Sequence, residues 1–109
     1  MKMVIAVVQD RDVAKLVDAL MDQRIGVTKL SSTGGFLKSG NTTLLIGVKD
    51  EQVEEVKEIV SKNCKARERI VTPVAPVAGA PDAYMSYPVK VLEGGANVFV
   101  IDVEEYHKF

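Results

Sequence analysis

The segment from Thr33 to Thr43 holds the residues best suited to bind a ligand. It carries three glycines, the ring of Phe36, the cation of Lys38 and a row of hydroxyl and amide side chains. Glycines let a backbone turn sharply and approach a ligand, and N–H groups bared in such a turn bind anions. Phe36 offers a flat face for a base, and the amide of Asn41 both donates and accepts hydrogen bonds. The segment suits a nucleotide or a phosphate diester, although a turn-rich connection between two β-strands has the same composition.

No catalytic motif accompanies this segment. Its glycines lack the spacing of a phosphate-binding Gly-x-x-x-x-Gly-Lys-Ser/Thr loop, and the chain has no nucleophile elbow. Cys64 falls on the apolar stripe of a predicted helix, and no ligand spacing connects it to His107, the single histidine. Asp102 and Glu104 share one face of a predicted strand, where a solvated charge cluster is the expected arrangement. The sequence therefore predicts no enzyme, no metal site and no cofactor.

The composition predicts one globular domain over residues 1–109. Hydrophobic residues make up 47% and charged residues 27%, and the formal net charge of −1 argues against a surface that coats nucleic acid. Lys62, Lys65, Arg67 and Arg69 form one basic cluster, which fits a solvated helix end. One cysteine excludes an intrachain disulfide, and no stretch approaches the ~20 apolar residues of a membrane span. We expect a cytoplasmic protein.

The apolar periodicity predicts the order strand, helix, strand, strand, helix, strand. The predicted strands are Met3–Val8, Val27–Ser32, Thr42–Val48 and Val98–Val103, with shorter ones at Ile70–Val71 and Val89–Leu92. The first helix is capped by Asp10 or Asp12, carries an apolar stripe that ends at Met21, and stops between Gln23 and Gly26; the second begins at Asp50. This order is the ferredoxin-like split βαβ pattern, an α+β fold with an antiparallel sheet and two helices on one face.

The stretch from Pro73 to Pro88 holds all four prolines of the chain. Proline interrupts a helix and removes a hydrogen-bond donor from a central strand. We therefore predict a long loop here, and long loops in small domains are usually functional or disordered.

The second face of the predicted sheet lacks a cover. The first and last strands are apolar at consecutive positions, so both faces carry hydrophobic side chains, each of which forgoes about 1.5–3 kcal/mol if left in water. We expect a closed, cyclic homo-oligomer to bury this face, or else the proline-rich stretch to fold over it in a monomer. All six aromatic residues lie outside the two helices, where they either stack on bases or seal the seam between copies.

Several strings spread over the whole chain resemble the PII-like cyclic di-AMP receptors. They are Val7–Asp10, Thr28–Leu30, Thr33–Leu37, Gly40–Thr43, Tyr87–Val89, Gly94–Ala96 and Val98–Val100. The resemblance implies a ferredoxin-like, PII-like homotrimer without enzymatic activity that acts in signal transduction. It also implies that cyclic di-AMP binds in clefts between adjacent subunits, that loops change order on binding, and that a downstream protein partner reads the change.

The resemblance also assigns site residues. Thr28 and the backbone of Gly35, Phe36 and Leu37 approach phosphate and ribose, Asn41 and the backbone around Gly47 hold one adenine, and Phe99 lines the pocket.

Two positions depart from the family pattern. Gly26 stands where members carry an arginine, and Lys108 stands where a neutral amide is expected. Without that arginine, a phosphate beside Thr28 lacks a bidentate cation unless Arg24 or Lys29 supplies it. The sequence thus leaves open a PII-type regulator that binds ATP or ADP, and also a small phosphate-transferring enzyme, which would need a base or metal that the sequence does not supply.

Overall fold

The computed structural model describes residues 1–32, 40–72, 74–77 and 80–109. The elements in chain order are β1 Lys2–Gln9, α1 Asp10–Asp22, β2 Thr28–Ser32, β3 Asn41–Val48, α2 Val53–Cys64, β4 Arg67–Val71, β5 Val74–Val77, β6 Ala80–Ser86, β7 Val89–Glu93 and β8 Ala96–Asp102. A short 3-10 turn at Asp50–Gln52 leads into α2, so helical backbone begins at Asp50, as predicted. No helix in these described ranges is long and apolar enough to span a membrane.

The main sheet has the strand order β2-β3-β1-β8, with every neighbouring pair antiparallel. β1 lies in the middle, where Val4 faces Ile46 of β3 on one side and Val100 of β8 on the other. This order, together with the two helices, is compatible with the predicted ferredoxin-like α+β fold.

The core lies between the two helices and one face of this sheet. Alternate residues of β1 and β3 point into it, and Val4, Ala6 and Leu44 are fully buried. The helices contribute side chains at helical spacing, among them Leu16 and Val56, both with no exposed surface. The predicted apolar stripes of both helices are therefore confirmed, with one exception described next.

The end of α1 departs from its predicted stripe at Met21, which is 61% exposed. The helix stops at Asp22, Arg24 takes a left-handed conformation with φ 59°, and the N–H of Ile25 returns to the carbonyl of Leu20. Because Ile25 fills the space beneath the last turn, with only 2% of it exposed, Met21 is left on the solvent side.

The start of α1 also differs from the predicted cap. The helix begins at Asp10 itself, with Gln9 at the capping position and no side-chain capping bond. The carboxylates of Asp10 and Asp12 are engaged elsewhere, by the hydroxyl of Thr42 and the guanidinium of Arg67. Tertiary hydrogen bonds have replaced the local cap.

Two two-stranded ribbons complete the architecture. In the first, β4 pairs with β7. In the second, β5 pairs with β6, so the prediction of a long loop over Pro73–Pro88 is wrong for Val74–Val77 and Ala80–Ser86. Each strand of a two-stranded ribbon has one unpaired edge, and proline is tolerated there because its missing N–H breaks no ladder bond. The ladder shifts register between Pro76 and Val77, next to one of these prolines.

The sheet face away from the helices, called the open face below, is apolar as predicted. It carries alternate residues of the four strands: Met3, Ile5, Val7, Thr28, Leu30, Thr43, Leu45, Gly47, Asn97, Phe99 and Ile101. Ile101 is 49% exposed and Leu30 is 47% exposed. Burial of this face against other copies stays a prediction.

Candidate functional site

One row of the open face joins two of the predicted site residues. Thr28 pairs with Leu45, Leu45 pairs with Ile5, and Ile5 pairs with Phe99. Directly paired residues project to the same side of a sheet. Thr28 and Phe99 therefore share one face but lie on the two outer strands, three strand spacings or about 14 Å apart.

Gly47 lies in the next row of the open face. It pairs with Met3, which in turn pairs with Ile101. Gly47 is exposed, and a Cβ built on it would find only the Met1 Cε methyl, at 3.5 Å. A flat group can therefore approach the backbone of β3 closely at this position.

The sequence places Asn41 just before the predicted strand at Thr42, at the end of the glycine-rich segment (Thr33–Thr43), and in the structure it is the first residue of β3. It pairs with Gln9 of β1 and with Ser32 of β2, and only 3% of it is exposed. Gly47 lies six positions further along the strand, which corresponds to about 20 Å. A single flat base is too small to contact both residues of one copy.

Three predicted site residues, Gly35, Phe36 and Leu37, lie outside the described residues. The flanking backbone is described, because the last residue of β2, Ser32, pairs with Asn41. The glycine-rich segment thus connects two neighbouring antiparallel strands and leaves the sheet at the end where α1 begins.

The first residue of α1 holds the exit of the glycine-rich segment. The N–H of Asp10 donates to the Gly40 carbonyl at 3.1 Å, and the Thr42 hydroxyl donates to Asp10 Oδ1 at 2.7 Å. A Cβ on Gly40 would lie 2.5 Å from Asp10 Oδ2, so a larger residue there would have to displace the carboxylate that accepts from Thr42. Sequence reasoning assigned Asp10 to a helix cap and to a family string and missed this contact.

An ionic cluster anchors the β4–β7 ribbon to the same end of α1. Arg67 donates to both carboxylate oxygens of Asp12, at 2.9 and 3.3 Å, and to Glu93 at 3.2 Å. Arg11 and Arg69 each contact Glu93 at 2.8 Å. Asp12 is only 3% exposed, and the hydrogen bond that Arg67 donates to it raises the pKa of Arg67 above the ordinary value. The predicted solvated basic cluster is therefore wrong for Arg67 and Arg69, which are ion-paired.

The turn between β7 and β8 joins this cluster to β1. Gly94 and Gly95 have φ values of 81° and 97°, a left-handed backbone that glycine adopts without strain. The N–H of Gly94 donates to Gln9 Oε1 at 2.7 Å. Gln9 therefore lies between this turn and its strand partner Asn41.

Cys64 and Asp102 also have shifted pKa values. Burial raises the pKa of the Cys64 thiol to about 11, which makes it a poor nucleophile at neutral pH. Lys2 pairs with Asp102 and lowers the pKa of that carboxyl, which ties the start of β1 to the end of β8. Among the residues that the structure describes, no group of His, Cys, Asp and Glu is arranged to hold a metal ion.

Comparison with known proteins agrees with this architecture. A solved structure, described as a functionally unknown protein from Pediococcus pentosaceus ATCC 25745, is similar with a TM-score of 0.81. The two sequences are 46% identical, and the match covers 99% of this chain and 96% of that one. The family model described as Cyclic-di-AMP receptor matches residues 1–109. A match over the full length, on a fold that carries the quoted strings, shows that this chain belongs to the cyclic-di-AMP receptor family.

Proposed function

We propose that the chain is a non-enzymatic signal-transduction protein of the cytoplasm that binds cyclic di-AMP in clefts between the subunits of a homotrimer. The match to the cyclic-di-AMP receptor family over residues 1–109 carries this proposal. The family description supports the ligand class and a binding role rather than catalysis.

The position of the site residues supports a cleft between copies. Thr28 and Phe99 lie on opposite outer strands of one sheet, about 14 Å apart, so a compact pocket includes both only if β2 of one copy meets β8 of the next. Phe99 is 45% exposed on an outer strand. Burial of such a ring beside a purine adds stacking worth about 1–3 kcal/mol.

Phosphate binding beside Thr28 has to do without the arginine of other family members. Gly26 is exposed, with no atom within 4 Å of an added Cβ. Lys29 does not substitute, because it pairs with Leu44 and so projects to the helix side, opposite to Thr28. We infer that hydroxyl and backbone N–H donors hold the phosphate, with an affinity below that of a site containing arginine.

A change of loop order on binding requires that the ligand prefer one loop state. The glycine-rich segment leaves the sheet between Ser32 and Gly40, and its exit is fixed by the bonds from Asp10. We propose that the ligand contacts the backbone of Gly35, Phe36 and Leu37 and selects one arrangement of the segment, which a downstream protein then reads.

Isothermal titration of the purified protein with cyclic di-AMP, ATP and ADP tests the function. We expect heat from cyclic di-AMP and none from the mononucleotides at the same concentrations. Selective binding of ATP or ADP would replace this proposal with a PII-type regulator. No binding heat with any of the three compounds would refute both.

Complementation between copies tests the location. Thr28→Val and Phe99→Ala each remove one side of the cleft, so we expect each variant alone to bind weakly. Coexpressed, the two variants form mixed oligomers in which some clefts have both sides intact, and we expect those clefts to bind as in the natural chain. A mixture that binds no better than either variant would place both residues in one subunit's site.

A further inference from the structure

A groove of about 310 Å³ lies where α1, α2 and β4 meet. We call it the basic groove. Among the described residues, its lining contains four cations and no carboxylate: Lys15, Lys62, Asn63, Lys65, Ala66 and Arg67. The cations come from three separate elements, so the groove is a product of the fold that the sequence cluster at positions 62–69 did not reveal.

Three of these cations have no carboxylate partner within the part of the chain that the structure describes. Arg67 is paired with Asp12 and Glu93, whereas Lys15, Lys62 and Lys65 are exposed and form no ion pair there. Like charges held close together repel, and the formal charge of the whole chain is only −1, so this excess is local. The groove is therefore electrostatically complementary to an anionic partner.

A second, larger groove continues from the basic groove along α2. Its volume is about 620 Å³, and the two grooves share Lys65 and Ala66. Its wall is largely apolar and includes Val60 of α2 with Val98 and Val100 of β8. The two β8 valines are 37% and 41% exposed, so their burial by a partner is favourable.

These two grooves select for one kind of occupant. An inorganic anion or a phosphate chain matches the basic groove but leaves the apolar wall uncovered, whereas an apolar segment leaves the lysines uncompensated. We propose that the pair of grooves docks a segment of another protein in which carboxylates stand beside apolar side chains. None of the lining residues belongs to the proposed ligand site, so this docking goes beyond the proposed function. Val98 and Val100 pair with Ala6 and Val4 and so project to the helix side of β8, opposite to Phe99 and the proposed cleft.

Arg67 connects the basic groove to the β4–β7 ribbon. It lines the basic groove and also holds the base of the β4–β7 ribbon through Glu93. An acidic residue placed beside Lys65 therefore lies next to the ionic cluster that anchors the ribbon to α1. The partner would sense the position of the ribbon through this contact.

Fluorescence anisotropy tests the docking surface with a labelled peptide in which glutamates alternate with leucines. Its control is the same peptide with glutamine in place of glutamate. We expect the acidic peptide to bind and the glutamine peptide to bind much more weakly. Lys15→Gln/Lys62→Gln/Lys65→Gln should weaken binding of the acidic peptide about tenfold, because three exposed ion pairs together are worth about one decade of affinity.

A matched variant separates a specific groove from net charge. Lys29→Gln/Lys49→Gln/Lys90→Gln removes the same charge from positions outside both grooves, and we expect it to change peptide binding less than twofold. Equal weakening by both triple variants, absence of binding to the natural chain, or displacement of the peptide by millimolar inorganic phosphate would overturn the proposal. The groove triple variant should bind cyclic di-AMP like the natural chain, so a failure of docking and a failure of ligand binding are read separately.

Discussion

Gly47→Ala separates the ligand site from the fold. Gly47 lies in the middle of the open face, and an added Cβ would make only an ordinary contact of 3.5 Å with Met1 Cε. Glycine inside a strand costs about 0.5–1 kcal/mol relative to alanine, so we expect the variant to be as stable as the natural chain or slightly more stable. Thermal unfolding without ligand checks this first half.

Gly47→Ala should bind cyclic di-AMP more weakly than the natural chain. If an adenine lies against the backbone of Gly47, a methyl group there pushes the base away and lengthens its hydrogen bond to the strand. Loss of that bond costs about 1–3 kcal/mol, which raises the Kd for cyclic di-AMP about 5- to 150-fold. Isothermal titration measures the ratio. Gly26→Ala is the control, because an added Cβ there meets nothing within 4 Å and no ligand contact is lost. An unchanged Kd for Gly47→Ala would remove Gly47 from the site and refute the reasoning from the open face.

Three further predictions concern the anchor, the phosphate and the thiol. Arg67→Ala should lower the free energy of unfolding in urea by about 3 kcal/mol, because it leaves the buried carboxylate of Asp12 unpaired; addition of Asp12→Asn should recover part of the loss, and strictly additive losses would contradict a direct pair. Gly26→Arg should lower the Kd for cyclic di-AMP by restoring a bidentate phosphate donor, and a Kd that does not fall would argue against a phosphate beside Thr28. At pH 8, Cys64 should react with a disulfide reagent about 100-fold more slowly than the thiol of the urea-unfolded chain, since a pKa of about 11 against 9.0 leaves about 100-fold less thiolate. The raised pKa of Cys64 also makes stability depend on pH: its contribution to the free energy of unfolding is fully present below pH 9.0 and is lost as the pH rises through about 11. A stability difference between the natural chain and Cys64→Ala that stays constant over this window would contradict the shift.

The elements of the main sheet follow from hydrophobic periodicity. The strand at Lys2–Gln9 has an unbroken apolar run and the helix at Val53–Cys64 has a helical apolar stripe, and both form within a few residues of the predicted bounds. The sequence also predicts short strands within β4 and β7, whereas it predicts a loop in place of the β5–β6 ribbon. Proline is a loop signal in a sequence, and it hid the pairing of β5 with β6, whose register is set by contacts between strands rather than by a local pattern.

The sequence names candidate residues for the site but does not give their relative positions. The row from Thr28 to Phe99 depends on the register of three strand pairs, which no local pattern fixes. The contact between Asp12 and Arg67 joins residues 55 positions apart, and the cation at 67 reads in the sequence as part of a helix end. The residue types in the sequence thus indicate candidate groups, and the register of the sheet determines which of these groups lie on the same face.

Native mass spectrometry of the protein with cyclic di-AMP tests the central claim most directly. Clefts to which two copies contribute predict a closed assembly of three chains that takes up to three ligands, and a chain that binds none when it is dissociated into single subunits. A single subunit that binds the ligand by itself, or a trimer that remains empty at saturating ligand, would contradict the account.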